Sequence, residues 1–214
     1  MALRVEQIAV GGFDDNFSYL ISADETNECL IVDPSGAFER VVERVDARGL
    51  SVEGVLITHT HFDHIDRMPD ALARFPVPIY VHEMSVGRLR GETVGLAEGH
   101  VVPLNGHQIE VLATPGHADD ALCFYLPPEI THDGRPALIA GDTLFVSRCG
   151  RTDLEHVGQL YDSLQRLKAL PDETVIYPGH DYGPTPSAIL AEEKQTNPFL
   201  AAPDLDTFAE RRLV

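Results

Sequence analysis

Three histidines and one aspartate fall within the six positions His59 to His64, in the segment Thr58-His59-Thr60-His61-Phe62-Asp63-His64. Imidazole nitrogen and carboxylate oxygen are the usual protein ligands of zinc and iron. Three later segments each end an apolar run with a further ligand-type residue: Thr114-Pro115-Gly116-His117, Gly141-Asp142-Thr143 and Pro178-Gly179-His180. His59, His61, Asp63, His64, His117, Asp142 and His180 are more donors than one tetrahedral ion can use. They suit two metals sharing a bridging carboxylate and a bridging water, which lowers the pKa of that water and makes a nucleophile at neutral pH. Such chemistry needs no protein nucleophile, and the chain holds no G-x-S-x-G motif.

To meet at one point, these groups need strands that end along one edge. The continuous apolar run Val55 to Thr58 reads as a buried strand, as do Ile79 to Val81, Ile109 to Ala113, Leu122 to Leu126, Leu138 to Ala140 and Val175 to Tyr177. Val5 to Val10, Tyr19 to Ile21 and Cys29 to Val32 read as further strands, the last two joined as a hairpin through the polar turn from Ala23 to Glu28. Helical spacing marks Phe38 to Arg48, stopped by Gly49, and then Met68 to Phe75, Leu154 to Leu170 and Ser187 to Gln195. This mixture predicts an α/β chain of two sheets flanked by helices, folded as a single domain over residues 1–214.

Composition narrows the partners. With 214 residues, 43% hydrophobic and 23% charged, the chain has the balance of a globular protein. Sixteen Lys and Arg stand against 34 Asp and Glu, a formal net charge of −18. That charge repels phosphate backbones and anionic lipid heads, so neither nucleic acid nor a membrane is expected as partner. Cys29, Cys123 and Cys149 are an odd number, far apart, and read as reduced thiols of a cytoplasmic protein. No secretory signal and no run of 18 apolar residues is visible.

The H-x-H-x-D-H motif with its downstream His, Asp and His resembles the metallo-β-lactamase-fold superfamily. Within it, the chain looks like the branch of glyoxalase II (hydroxyacylglutathione hydrolase) and persulfide dioxygenase, from Asp15-Asn16-Phe17-Ser18-Tyr19 to Asn197-Pro198. The resemblance implies an αββα sandwich with the site at one edge of its sheets. It implies one metal on His59, His61 and His117, a second on Asp63, His64 and His180, and Asp142 bridging both. Asp63 and Asp142 are then the catalytic carboxylates, and the two ions are zinc first, with iron or manganese as alternatives. The activity implied is hydrolysis of a small-molecule thioester by a metal-bridging hydroxide, in a chain that can pair as a homodimer. The other chemistry of the branch uses a single iron(II) on His59, His117 and Asp142 and oxidises glutathione persulfide with oxygen. Asp-Asn-aromatic near the N-terminus and Phe62 before Asp63 resemble the hydrolases, whereas Cys149-Gly150-Arg151-Thr152-Asp153 resembles the dioxygenases. Glyoxalase II carries a C-terminal helical domain; here the 34 residues after His180 leave room for one helix (214 − 180 = 34).

Several residues outside the seven are candidates for substrate contact. Arg151 offers a planar fork to a carboxylate, with an ion pair to Asp153 or Glu155 as the alternative. Cys149 is either a redox-active thiol or a packed one, and Tyr182 stands two residues past His180. His82, His100, His107, His132 and His156 read as surface or capped histidines. Asp66 reads as a helix N-cap. Thr58, Thr114 and Asp119 stand near ligands in sequence and could orient them.

Overall fold

The apolar runs pair into two six-stranded sheets whose inner faces form one core. The computed structural model describes residues 2–23 and 25–213; Asp24 of the expected turn lies outside them, as do Met1 and Val214. The first sheet is laid down in chain order: β1 (Leu3–Gly11), β2 (Asn16–Ala23), β3 (Glu28–Val32), β4 (Ser51–Leu56), β5 (Ile79–His82) and β6 (Thr93–Leu96). Its first three strands are antiparallel and its last four run parallel. The second sheet holds β7 (Val101–Leu104), β8 (His107–Ala113), β9 (Leu122–Leu126) and β10 (Ala137–Gly141). A short hairpin of β11 (Leu144–Phe145) and β12 (Arg148–Cys149) interrupts it, and β13 (Val175–Pro178) and β14 (Ala188–Ile189) complete it in the order β14-β13-β10-β9-β8-β7.

Each outer face is covered by helices. Against the first sheet lie α1 (Glu39–Arg48) and α3 (Met68–Arg74), with the one-turn α2 (Phe62–Ile65) just before α3. In α1 the buried Val41 and Val45 are one turn apart, and Gly49 ends the helix at φ +62°, a left-handed conformation that costs glycine little. Against the second sheet lie α4 (Val157–Lys168), α5 (Leu190–Thr196) and α6 (Leu205–Arg212). Leu160, Leu164 and Leu167 of α4 are at most 1% exposed, each worth about 1.5–3 kcal/mol of burial. The result is the expected α/β/β/α layering.

The C-terminal third departs from the sequence reading. Leu154 is 83% exposed, and α4 starts only at Val157, after Asp153 Oδ1 has accepted the N–H groups of Glu155 and His156. Residues 188–189 pair with β13 rather than starting a helix, so α5 begins at Leu190. The stretch expected to hold one helix holds two, because Asp204 caps α6 by accepting from the Thr207 N–H at 2.9 Å.

Candidate metal centre

Four strand ends deliver the seven ligand-type residues to one place. β4 runs out into His59 and His61, and α2 carries Asp63 and His64. β8 leads to His117, β10 to Asp142 and β13 to His180. The ring nitrogens then crowd together: His59 Nε2 lies 3.0 Å from His61 Nδ1, which lies 3.1 Å from His117 Nε2. His64 Nε2 lies 3.2 Å from His180 Nε2. Donor atoms of His59, His61 and His117 all lie within 4.8 Å of one another, as do those of Asp63, His64 and His180. Asp142 stands between the two groups, with Oδ2 3.1 Å from His180 Nε2 and 3.5 Å from His117 Nε2, and Oδ1 3.3 Å from His64 Nε2.

The partners on the far side of each ring fix which nitrogen faces inward. His117 Nδ1 donates to the Arg151 carbonyl at 2.9 Å and His180 Nδ1 to the Asp14 carbonyl at 2.6 Å. A carbonyl only accepts, so the proton sits on Nδ1 and the Nε2 lone pair points into the cluster. His64 Nδ1 donates to Asp33 Oδ2 at 2.9 Å. His59 Nδ1 lies 3.1 Å from Thr58 Oγ1, whose hydroxyl proton already goes to Asp33 Oδ2 at 2.6 Å. With the rings in the neutral form that binds a metal, four Nε2 lone pairs, His61 Nδ1 and two carboxylates therefore converge. Inside this knot Asp142 Oδ1 is buried with no hydrogen-bond partner among the described residues. Lone pairs packed nitrogen to nitrogen, with an orphaned carboxylate oxygen beside them, are what a divalent cation would resolve. The donor set fits the expected metals.

Charge within the cluster follows the same logic. Burial first, then the neighbouring cationic ring of His64, holds His59 well below the ordinary histidine range, and burial lowers His117 too. His64 is pulled down by burial but carried well above the ordinary range by the carboxylates of Asp142 and Asp33. His180 is raised in the same way by Asp142. Burial would push Asp142 up; His64, His180 and His59 hold it well below the usual carboxylate range. Without metal, protons on His64 and His180 take part of the place of an ion.

A cavity of about 750 Å³ opens onto the cluster. His61, Asp63, His117, Asp142 and His180 line its floor, and Met84, Arg88, Phe145, Arg151 and Tyr182 its walls. Tyr182 stacks on His180 with ring centroids 4.7 Å apart and donates its hydroxyl to Asp14. Arg151 is exposed and makes no ion pair with Asp153 or Glu155 among the described residues.

Other expectations need correction. Cys149 does not reach the cavity: it is 4% exposed among Leu144 and Leu160, and burial pushes its thiol up to about 12, which leaves it protonated and inert. Asp66 caps no helix N-terminus; it follows α2, and its Oδ1 accepts from the Gly36 N–H at 3.2 Å. Thr58 does orient His59, but Thr114 pairs with Thr143 at 2.8 Å and Asp119 faces His156 at 3.6 Å. His156 belongs to the cavity wall, its Nδ1 2.7 Å from Asp153 Oδ1.

Two carboxylates escaped the sequence reading. Asp33 is 1% exposed and holds both Thr58 and His64. Asp120 is 5% exposed and accepts from the Thr60 and Ser85 hydroxyls, each at 2.6 Å. The only signal either gave was an acid beside an apolar run.

The family model of the metallo-beta-lactamase superfamily matches residues 11–180. Among solved structures, a metallo-beta-lactamase from Staphylococcus aureus subsp. aureus COL superposes with a TM-score of 0.85 at 27% identity, over 100% of this chain and 67% of that one. ETHE1 from Myxococcus xanthus superposes with a TM-score of 0.80 at 31% identity, over 100% and 90%. TTHA1623, solved in a di-iron-bound form, gives 0.72 at 28% identity, over 91% and 100%.

Proposed function

The chain belongs to the metallo-beta-lactamase superfamily, and we propose that within it the protein is a two-metal hydrolase of small thioesters, similar to hydroxyacylglutathione hydrolase. One observation carries this reading: two triads of donors flank Asp142, and outer partners turn the inner nitrogens of His59, His64, His117 and His180 toward it. His59, His61 and His117 would hold one ion, Asp63, His64 and His180 the other, and Asp142 would bridge them. Divalent cations held there supply the acidity that turns water into a nucleophile near neutral pH, and the positive charge that steadies a developing oxyanion.

The chain's own residues do the rest. The Thr58 hydroxyl and the carbonyls of Asp14 and Arg151 keep the imidazoles from rotating. Asp63, part-exposed on the cavity floor and fixed by the Asn16 Nδ2 donor at 3.0 Å, is the carboxylate placed to hold a proton taken from the attacking water. The His180–Tyr182 stack and Phe145 give an apolar wall for the acyl part. Arg151 offers a cation to a carboxylate on the thiol part, and the thiolate leaves without needing a proton donor. The partner is a small molecule; no helix among the described residues is long and apolar enough to cross a membrane.

A second reading, one iron on His59, His117 and Asp142 oxidising a persulfide, is favoured by the Cys149–Asp153 segment and by the 31% identity to ETHE1. Metal analysis of protein purified without added metal separates the two when paired with both assays. Two zinc ions per chain with thioester hydrolysis is the expected result; one iron with oxygen consumption on a persulfide replaces it by the second reading.

A further inference from the structure

Three segments that meet at the cavity come from distant parts of the chain. One is the ligand loop, in which Thr60 stands between His59 and His61. Another is the turn Ala118–Asp120 after His117. The third is the stretch from Glu83 to Arg88, which sends Met84 and Arg88 into the cavity wall. The first two are also sewn together by backbone: Leu122 donates its N–H to the Thr58 carbonyl at 2.7 Å. Among the described residues the third is not. Its other hydrogen bonds there, Met84 N–H to His82, Val86 N–H to Glu83, Gly87 N–H to Thr93 and Arg88 N–H to Ser85, stay inside the segment and its flanking strands. What joins it to the ligand loops is the fully buried Ser85 hydroxyl, donated to Asp120 Oδ2 at 2.6 Å. The same oxygen accepts the Thr60 hydroxyl at 2.6 Å.

We propose that Asp120 is a positioning residue that locks the Met84–Arg88 wall to the metal-ligand loops, so that the cavity's grip on the thiol part of a substrate is set by the Ser85 arm and the geometry of His59 and His61 by the Thr60 arm. A carboxylate is well suited to this role, because one of its oxygens takes two hydroxyl donors at short range and each such bond is stronger than one between neutral groups. Asp120 belongs to neither triad of metal donors and acts through the Thr60 and Ser85 hydroxyls. The part concerning the thiol moiety rests on the thioesterase reading; the locking of the segment does not.

The test uses the full-length, zinc-loaded protein and the variants Ser85→Ala, Asp120→Ala and Asp120→Asn. Hydrogen–deuterium exchange is followed over residues 83–91, zinc content after dialysis, and kcat and KM on a thioester with a bulky thiol part. Ser85→Ala should speed exchange in that segment and raise KM, each about ten-fold, the worth of one hydrogen bond to a charged group. Its zinc content should stay unchanged and its kcat within about two-fold. Asp120→Ala should show the same wall effects and lose zinc as well. Asp120→Asn keeps an acceptor oxygen and should return the exchange rate most of the way to that of the parent protein. Unchanged exchange over residues 83–91 in Ser85→Ala overturns the proposal, as does a fall in kcat at constant KM. If the parent protein turns over no thioester, the functional reading fails, while exchange and zinc content still decide the role of Asp120.

Discussion

The Asp33 carboxylate accepts from the Thr58 N–H at 2.8 Å, the Thr58 hydroxyl at 2.6 Å and His64 Nδ1 at 2.9 Å, and all three groups face it as donors. Its backbone sits at φ +50°, in the left-handed region that Asp and Asn tolerate better than most residues. Asp33→Asn therefore keeps the backbone and changes only the side chain. The amide has one acceptor oxygen, so its NH₂ must meet a donor on one side. Zinc affinity should drop about 10- to 100-fold, the usual effect of losing an outer partner of a ligating imidazole. Stability should fall by about 1–3 kcal/mol for the buried group left unpaired. Competition with a chelator and urea unfolding measure the two; full zinc affinity in this variant would mean that Asp33 does not orient His64. The contrast with the ligands explains what the sequence could reveal. His59, His61, Asp63 and His64 stand within six positions, so their chemistry is visible without a fold. Asp33 acts on residues 25 and 31 positions away, and in the sequence it shows only as a strand ending in Asp-Pro-Ser-Gly.

Between elements, the limiting quantity is space. Gly179 follows β13, which is tied to β10 in parallel register and by the Gly179 N–H to the Gly141 carbonyl at 2.8 Å. A Cβ there would collide with Asp142 Oδ1 and lie 2.9 Å from His64 Cε1. The glycine after Pro178 thus serves close approach of backbone to ligands rather than a turn alone. Gly179→Ala should displace Asp142, cost about 1–3 kcal/mol through overpacking, and reduce bound zinc to at most one ion per chain. Gly158, in the first turn of α4 with nothing within 4 Å of its missing Cβ, is the control: Gly158→Ala should stabilise by up to about 1 kcal/mol. Thermal unfolding with zinc analysis checks both, and equal behaviour of the two variants would refute the packing argument. Strands and helices with strong period or continuous apolar character, such as β9 and α1, were legible from their residues. Some short elements were not, although the equally short apolar β5 and β13 were: β6, β7 and the β11–β12 hairpin are built of strands two to four residues long and exist because a neighbour supplies hydrogen bonds. In α6, Phe208 is the one buried residue, so periodicity carried no signal and only the Asp204 cap marks its start.

For the molecule as a whole, the centre sets how stability depends on pH. Four cluster histidines shift in two directions: His59 and His117 fall below the ordinary histidine value of 6.5, His64 and His180 rise above it. In metal-free protein below about pH 6.5, the unfolded chain takes up protons that the folded His59 and His117 refuse, so stability climbs with pH. Above that point the fold keeps protons on His64 and His180 that the unfolded chain has released. Their contribution, fully present below about 6.5, is then lost as pH rises through the raised folded values. Surface carboxylates, although they leave the chain at a formal −18, are already ionised across this window and add no slope. Chelator-treated protein should therefore be most stable near about pH 6.5 and weaken toward about pH 8. Zinc loading replaces those protons with ions, and ligand binding to the fold alone adds about 4 kcal/mol at roughly a thousand-fold excess over the dissociation constant. The loaded protein should thus lose the decline above about pH 6.5 and unfold at higher urea throughout. Urea titrations at about pH 5.5, 6.5 and 8, with and without zinc, decide it: metal-free stability that keeps rising to about pH 8 would mean that His64 and His180 do not stand in for the missing charge.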